Sequence, residues 1–181
     1  LHHSDVRKHP LGDLVPEGVL YKIVSNIPYY LSGFLLRSAL SQKRQPECVV
    51  FLVQKEVAER VARSKKESLL SLSVKAYGTP RYVATVGRGN FSPMPKVDSA
   101  ILAIEDISRE RFKDLDEAWF FKVLHAAFAS RRKQLIGNLS ALREREDILR
   151  IFETLGIPQK ARGEDLAIDR WCALARLLLL Y

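Results

Sequence analysis

Two nearly continuous apolar runs mark the first third of the chain: Val19-Leu20-Tyr21-Lys22-Ile23-Val24, which gives way to Ser25-Asn26, and Val49-Val50-Phe51-Leu52-Val53, which stops at Gln54. Runs of this kind predict strands of a parallel sheet covered on both faces. Between them Leu31, Phe34, Leu35 and Ser38/Ala39 recur at helical spacing, and Val57, Val61 and Ala62 do the same after the second run. The order strand, helix, strand, helix follows. Ser68 to Tyr77 predicts a further helix, stopped by Gly78-Thr79-Pro80. Tyr82 to Val86 and Ala100 to Ile104 predict two more strands, joined by a Gly- and Pro-rich stretch from Gly87 to Pro95. With no helix between them they read as an antiparallel hairpin closing the sheet.

Charged residues crowd Glu105 to Glu117, which reads as a linker. Beyond it come three helical stripes: Trp119, Phe120, Val123, Leu124, Ala127 and Phe128, continued by Leu135, Ile136 and Leu139; then Ile148, Leu149, Phe152 and Leu155; then Ile168, Trp171, Leu174/Ala175 and Leu178. The expected organisation is an α/β domain over 1–105 and a small all-helical domain over 106–181. The chain opens on Leu1 rather than Met, and Leu1-His2-His3-Ser4-Asp5-Val6 reads as the tail of a strand at a cut end.

Apolar residues at 47% and charged residues at 28% are ordinary for a packed protein and exclude a disordered or collagen-like chain. The longest wholly aliphatic run, Leu177 to Leu180, is far too short to span a membrane, and no signal peptide is evident. Cys48 and Cys172 offer neither metal spacing nor a disulfide framework, so a reducing cytoplasm is expected. The net charge of +8 lies mostly in the first domain, and between Val19 and Pro46 there is no acid at all. That balance suits a polyanion such as nucleic acid. An idle basic surface is the plain alternative.

Asn26-Ile27-Pro28-Tyr29 stands where the first apolar strand ends, and ligand sites of parallel α/β sheets lie outside the carboxyl ends of strands. Pro28 fixes its own φ and keeps Ile27 out of the helical region, giving a rigid extended row. The Asn26 amide oxygen and the Ile27 carbonyl then make two acceptors, and Tyr29 adds a flat face. An exocyclic amino group on a purine calls for that set: both hydrogens are accepted, lone-pair density leaves the ring, and the base stacks. A proline turn after a buried strand is the alternative for these four residues alone.

Phe91-Ser92-Pro93-Met94-Pro95-Lys96-Val97-Asp98-Ser99 resembles the F-x-P-x-P-K-V-D-S segment of the ribosomal RNA adenine dimethyltransferases of the KsgA type. Further likenesses follow in order. Leu52-Val53-Gln54-Lys55-Glu56-Val57 resembles their L-Q-K-E-V segment, Leu72-Ser73-Val74 their L-S-V, Phe128-Ala129-Ser130-Arg131-Arg132-Lys133 their F-x-x-R-R-K, and Arg162-Gly163-Glu164-Asp165-Leu166 their R-x-E-x-L. The related macrolide-resistance enzymes of the Erm type share Asn-Ile-Pro-Tyr and Pro-Lys-Val. They usually carry Asn where Asp98 stands and lack the Arg-Arg-Lys stretch.

The resemblance implies the C-terminal portion of a Rossmann-like methyltransferase sheet followed by a small all-helical domain. It implies S-adenosylmethionine as cofactor and dimethylation of adjacent adenosines in small-subunit ribosomal RNA, with Asn26, Ile27, Pro28, Tyr29 and Phe91 at the reacting base. Asp5 resembles the family's adenine-binding acid, so Asp5 and Asn26 are the expected cofactor contacts. The family's glycine loop and ribose-binding acid would lie upstream of Leu1, and these 181 residues are expected to bind S-adenosylmethionine poorly. Gly87-Arg88-Gly89 is no substitute, because Pro93 and Pro95 follow it and no helix can start there.

Lys43, Arg44, Arg131, Arg132 and Lys133 are the expected RNA phosphate contacts, the last three carried on the helix of the Trp119–Phe128 stripe, and a solvated charge run is their alternative. His2, His3 and Asp5 form no expected metal site, since neighbours on a strand point to opposite faces. No nucleophile with its base is indicated. The expected partner is small-subunit ribosomal RNA or its precursor particle, with no membrane and no metal. A non-catalytic RNA- or ribosome-binding assembly factor that keeps the methyltransferase-like fold remains the other reading.

Overall fold

The first apolar run is shorter as a strand than its hydrophobicity suggests: β1 covers Lys22–Asn26, while Val19 and Leu20 precede it as exposed chain. The computed structural model describes every residue except Leu1, His2, Ser4, Pro10, Arg131 and Tyr181. A tight turn leads from β1 into helix α1 (Ser32–Ser41), which buries Leu35, Leu36, Ala39 and Leu40. Strand β2 (Cys48–Gln54) returns parallel to β1, with Lys22 opposite Cys48 and Asn26 opposite Leu52. Helix α2 (Lys55–Ala62) starts at once and turns Ala58 and Val61 inward.

Strands β3 (Thr79–Val86) and β4 (Ser99–Glu105) pair antiparallel, as the absence of a helix between them predicts. The order of the sheet, β1-β2-β4-β3, puts the later strand inside. Composition accounts for this. Ala100, Leu102, Ala103 and Ile104 are all buried and fit an inner position between two partners, whereas β3 carries Arg81 and Thr85 and an irregular register between Tyr82 and Ala84, features that suit an edge. β4 is antiparallel to β2 as well, Phe51 facing Leu102 and Val53 facing Ala100, so the sheet is mixed. Among the described residues β1 is the other edge, and Val24 is 75% exposed rather than covered. Of the strand tail expected over Leu1 to Val6, the described residues His3, Asp5 and Val6 are not in a strand: Lys8 N donates to Asp5 O at 3.0 Å and Val6 begins a turn, while Leu1, His2 and Ser4 lie outside the described residues.

Contacts divide the chain into two compact units, Leu1–Ser64 with Tyr77–Ser108, and Lys65–Ala76 with Arg109–Tyr181. This division differs from the expected 1–105 and 106–181 by putting Lys65–Ala76, the segment of α3 (Leu69–Lys75), with the second unit and residues 106–108 with the first. Backbone and charge hold that segment in the second unit: Glu67 N donates to Glu164 O at 2.9 Å, and Lys66 pairs with Asp165. The rest of the second unit is α4 (Glu117–Ala127), α5 (Leu135–Leu139), α6 (Arg145–Leu155) and α7 (Ile168–Leu180) around buried Phe120, Phe152 and Trp171. Gly156 ends α6 at φ 60, a left-handed conformation that only glycine adopts freely.

Candidate functional site

The turn at the end of β1 is built by its own side chains. Ile27 is buried and pins the chain to the core. Pro28, at φ −58 and ψ 132, keeps the backbone extended before a 3₁₀ turn at Tyr29–Leu31. Leu31 N donates to Pro28 O at 2.9 Å, and Ser32 Oγ donates to Tyr29 O at 2.9 Å. Asn26 is exposed and Tyr29 half-buried, one on each side of the proline.

A second loop, from Gly87 to Asp98, comes to the same place. It begins with a 3₁₀ turn at Arg88–Asn90, in which Asn90 Nδ2 donates to Gly87 O at 2.9 Å. Gly87-Arg88-Gly89 thus lies in a turn that precedes the prolines. Asp98 closes the loop, its Oδ1 accepting from Arg88 N at 3.0 Å while its carbonyl accepts from Lys55 N at 3.0 Å. The next residue, Ser99, is wholly buried, and its hydroxyl lies 2.8 Å from the Tyr29 hydroxyl.

Between the two loops lies a cavity of about 340 Å³ lined by Asn26, Ile27, Pro28, Tyr29, Phe91, Pro93 and Pro95. All five residues expected at the reacting base are therefore on one wall system. The size sits at the small end of ligand pockets and is open to solvent on one side. Two aromatic rings, three rigid prolines and one amide give it flat apolar walls with a hydrogen-bonding group at one side, and among the described residues no carboxylate or imidazole lines it. Pro93, Pro95 and Ser99 were not singled out by sequence reasoning. The prolines stand in the quoted Phe91–Ser99 segment and flank Met94, but the Ser99 bond to Tyr29 joins positions too far apart for any local pattern to show.

The remaining expected residues fall elsewhere. Asp5 does not line this cavity; its carboxylate accepts from Arg7 N, Nε and Nη2 at 2.6–3.0 Å, bonds that hold its pKa far below the usual carboxylate range. Arg44 is a builder of structure, donating from its two terminal nitrogens to the carbonyls of Gly12, Val15, Pro16 and Val19. Lys43 is exposed. Arg132 and Lys133 are exposed in the turn after α4, not on the helix as expected, because α4 stops at Ala127. Asn138 holds that helix end, donating from Nδ2 to Ala127 O and Ser130 O. Arg131, like His2, lies outside the described residues. Among the described residues no His, Cys, Asp and Glu cluster could hold a metal ion, and no helix is long and apolar enough to cross a membrane.

Comparison with known proteins decides the family: the ribosomal RNA adenine dimethylase family matches residues 11–179. The chain belongs to that family. Among its relatives, the ribosomal RNA small subunit methyltransferase A of Dehalococcoides mccartyi is 37% identical over 172 residues, covering 93% of this chain and 59% of that protein. The protein of the same name in Fusobacterium nucleatum is 36% identical over 178 residues, covering 96% of this chain and 67% of that one. The chain thus spans about 59% of the length of the first of these relatives. A dimethyladenosine transferase from Plasmodium falciparum shares the fold at a TM-score of 0.77 and 23% identity, covering 96% of this chain and 70% of that one. The 23S ribosomal RNA methyltransferase ErmE does so at 0.68 and 20%, covering 90% and 67%. The α/β, methyltransferase-like fold expected from the sequence is the fold observed.

Within this dimethylase family member the recognised segments serve two ends. Asn26–Tyr29 and Phe91–Ser99 border the cavity. Phe128 and Arg162–Leu166 brace the second unit instead: a Cβ on Gly163 would meet the Phe128 ring at 3.1 Å, and that ring lies 5.9 Å from Trp171. Asp165 accepts from Arg162 N at 2.8 Å and pairs with Lys66, and both bonds lower its pKa.

Proposed function

We propose that the chain holds an adenosine of small-subunit ribosomal RNA so that its exocyclic amino group is methylated twice, with S-adenosylmethionine as donor. The observation that supports this is the convergence of Asn26, Ile27, Pro28, Tyr29 and Phe91 on one cavity. S-adenosylmethionine, when bound, supplies an electrophilic methyl group. Asn26, on the wall of that cavity at the end of β1, would meet it. Asp5 does not fit an adenine contact, since Arg7 already occupies its carboxylate.

The chain's own part is to prepare the nitrogen. The Asn26 amide oxygen and the Ile27 carbonyl accept its two hydrogens, drawing the lone pair out of ring conjugation and aiming it away from the base plane. Tyr29 stacks on the base, and Phe91 and the prolines keep water from its faces. Alkylation makes the remaining N–H acidic, so its proton passes to solvent at the open mouth and no side-chain base is required. Lys43, Arg132 and Lys133 are proposed phosphate contacts, being exposed cations on a chain of net charge +8. A ribosomal RNA target and two cysteines without a disulfide suit a reducing cytoplasm.

Methyl transfer from labelled S-adenosylmethionine to a small-subunit precursor tests the reading, with the protein at its full natural length. Label on the amino groups of adjacent adenosines is expected. RNA binding with no transfer overturns it and leaves a non-catalytic assembly factor, the reading that the occupied Asp5 favours.

A further inference from the structure

We propose that the exposed face formed by α1 and the 3₁₀ turn before it is a track for the single-stranded RNA flanking the target adenosine, with bases stacked on Tyr30 and Phe34 and phosphates seated at a second, cationic cavity by Lys8 and Lys43. This rests on the reading of the Asn26–Tyr29 cavity as the adenosine site.

Tyr30 follows directly on Tyr29 in the 3₁₀ turn that leads into α1, and the residue is 83% exposed. Phe34, one helical turn on, is 40% exposed, and the two lie on the face opposite the buried Leu35, Leu36, Ala39 and Leu40. Two large aromatics exposed side by side at the start of a helix whose other face is well covered offer stacking surface, and every base offers a ring to stack on them. The same face continues through Arg37 to Ser38 and Ser41, which line a cavity of about 520 Å³ together with Arg7, Lys8, His9 and Lys43.

Asp13 is the acid on that wall, Arg7 is paired with Asp5, and Arg44 is spent on backbone carbonyls. Lys8 and Lys43 remain as the cationic surface, with His9 beside them. From Tyr29 to Lys43 the chain has no acid to repel a phosphate. Aromatic surface interleaved with cations, continuous with a cavity for a flat ring, matches a single-stranded polyanion. Duplex RNA would present no free base to the two rings.

The probes are a fluorescent single-stranded oligoribonucleotide with two adjacent adenosines in a uridine run, and the same strand with abasic sugars at the flanking positions. Binding to the full-length protein is read by anisotropy. The native protein is expected to bind the base-bearing strand about tenfold more tightly, and Tyr30→Ala with Phe34→Ala to erase that difference while leaving Tm unchanged. Lys8→Glu and Lys43→Glu are expected to weaken both strands, each lowering the slope of log affinity against log salt by up to ~0.7. Equal binding of the two strands, or a difference that survives the aromatic substitutions, overturns the track. An unchanged salt slope in the lysine variants overturns the phosphate seat. Methyl transfer measured alongside separates the two readings: its absence in the native protein refutes the adenosine site, whereas the base-dependent difference reports on α1 alone.

Discussion

The hydroxyls of Tyr29 and Ser99 lie 2.8 Å apart, a bond across seventy positions that ties the turn after β1 to the first residue of β4. Ser99 is paired by register to both Gln54 and Val86 and is fully buried. The tilt of the Tyr29 ring is therefore set by the sheet rather than by its own loop. If Tyr29 stacks on a base as proposed, a ring fixed in this way loses little entropy when the base arrives.

Ser99→Ala and Tyr29→Phe should each cost about 0.5–1.5 kcal/mol of stability, and the double variant no more than the larger single one, because both delete one bond. Tyr29→Ala should additionally lose the ~1–3 kcal/mol of base stacking. Urea unfolding and RNA binding, measured on the four proteins, check both statements. Additive costs would show that the hydroxyls do not act as a pair.

Arg44 should behave as a brace. Arg44→Ala and Arg44→Lys are both expected to raise amide exchange and proteolysis between Gly12 and Val19, since an ammonium cannot reach four carbonyls as the guanidinium fork does. Rescue of protection by lysine would mean that charge, not geometry, is what matters there.

Asn138→Ala should destabilise the second unit by about 1–3 kcal/mol, because it removes the amide that serves Ala127 O and Ser130 O in a largely buried place. The turn that presents Arg132 and Lys133 depends on the same amide, so RNA affinity is expected to fall along with the urea midpoint. A stability loss with affinity intact would separate the turn from the helix end.

The sequence reading found the strands and helices because their apolar faces are periodic, and it placed Asn26–Tyr29 and Phe91 at one site through the segments they stand in. It put β1 among covered strands because Ile23 and Val24 look alike in a sequence, whereas one is buried and the other open. It counted Arg44 as a phosphate contact for a related reason: charge is visible in a sequence, but the carbonyls that claim it belong to a loop some thirty residues away. Lys65–Ala76 escaped because its partners, Glu164 and Asp165, lie about a hundred residues on. The Asp5 carboxylate could not be known to face Arg7 before the turn between them was seen.

Acid should weaken the second unit through Asp165. Its pKa is lowered by the Lys66 ammonium and the Arg162 N–H, so the native state binds fewer protons than the unfolded chain. The stabilisation is complete above the ordinary aspartate value of 3.8 and is lost as pH falls through the lower native value. Asp165→Asn should flatten that part of the pH profile of urea unfolding. A profile unchanged by the substitution would place the acid sensitivity on other carboxylates.

Asn26→Ala, assayed for both methyl transfer and RNA binding in the full-length protein, reports most directly on whether the cavity between the two loops prepares an adenosine amino group. Loss of one preorganised acceptor should slow transfer by about a hundredfold or more, while RNA affinity, carried by stacking and phosphate contacts, stays within about threefold. Transfer at the native rate by Asn26→Ala would contradict that role for the cavity.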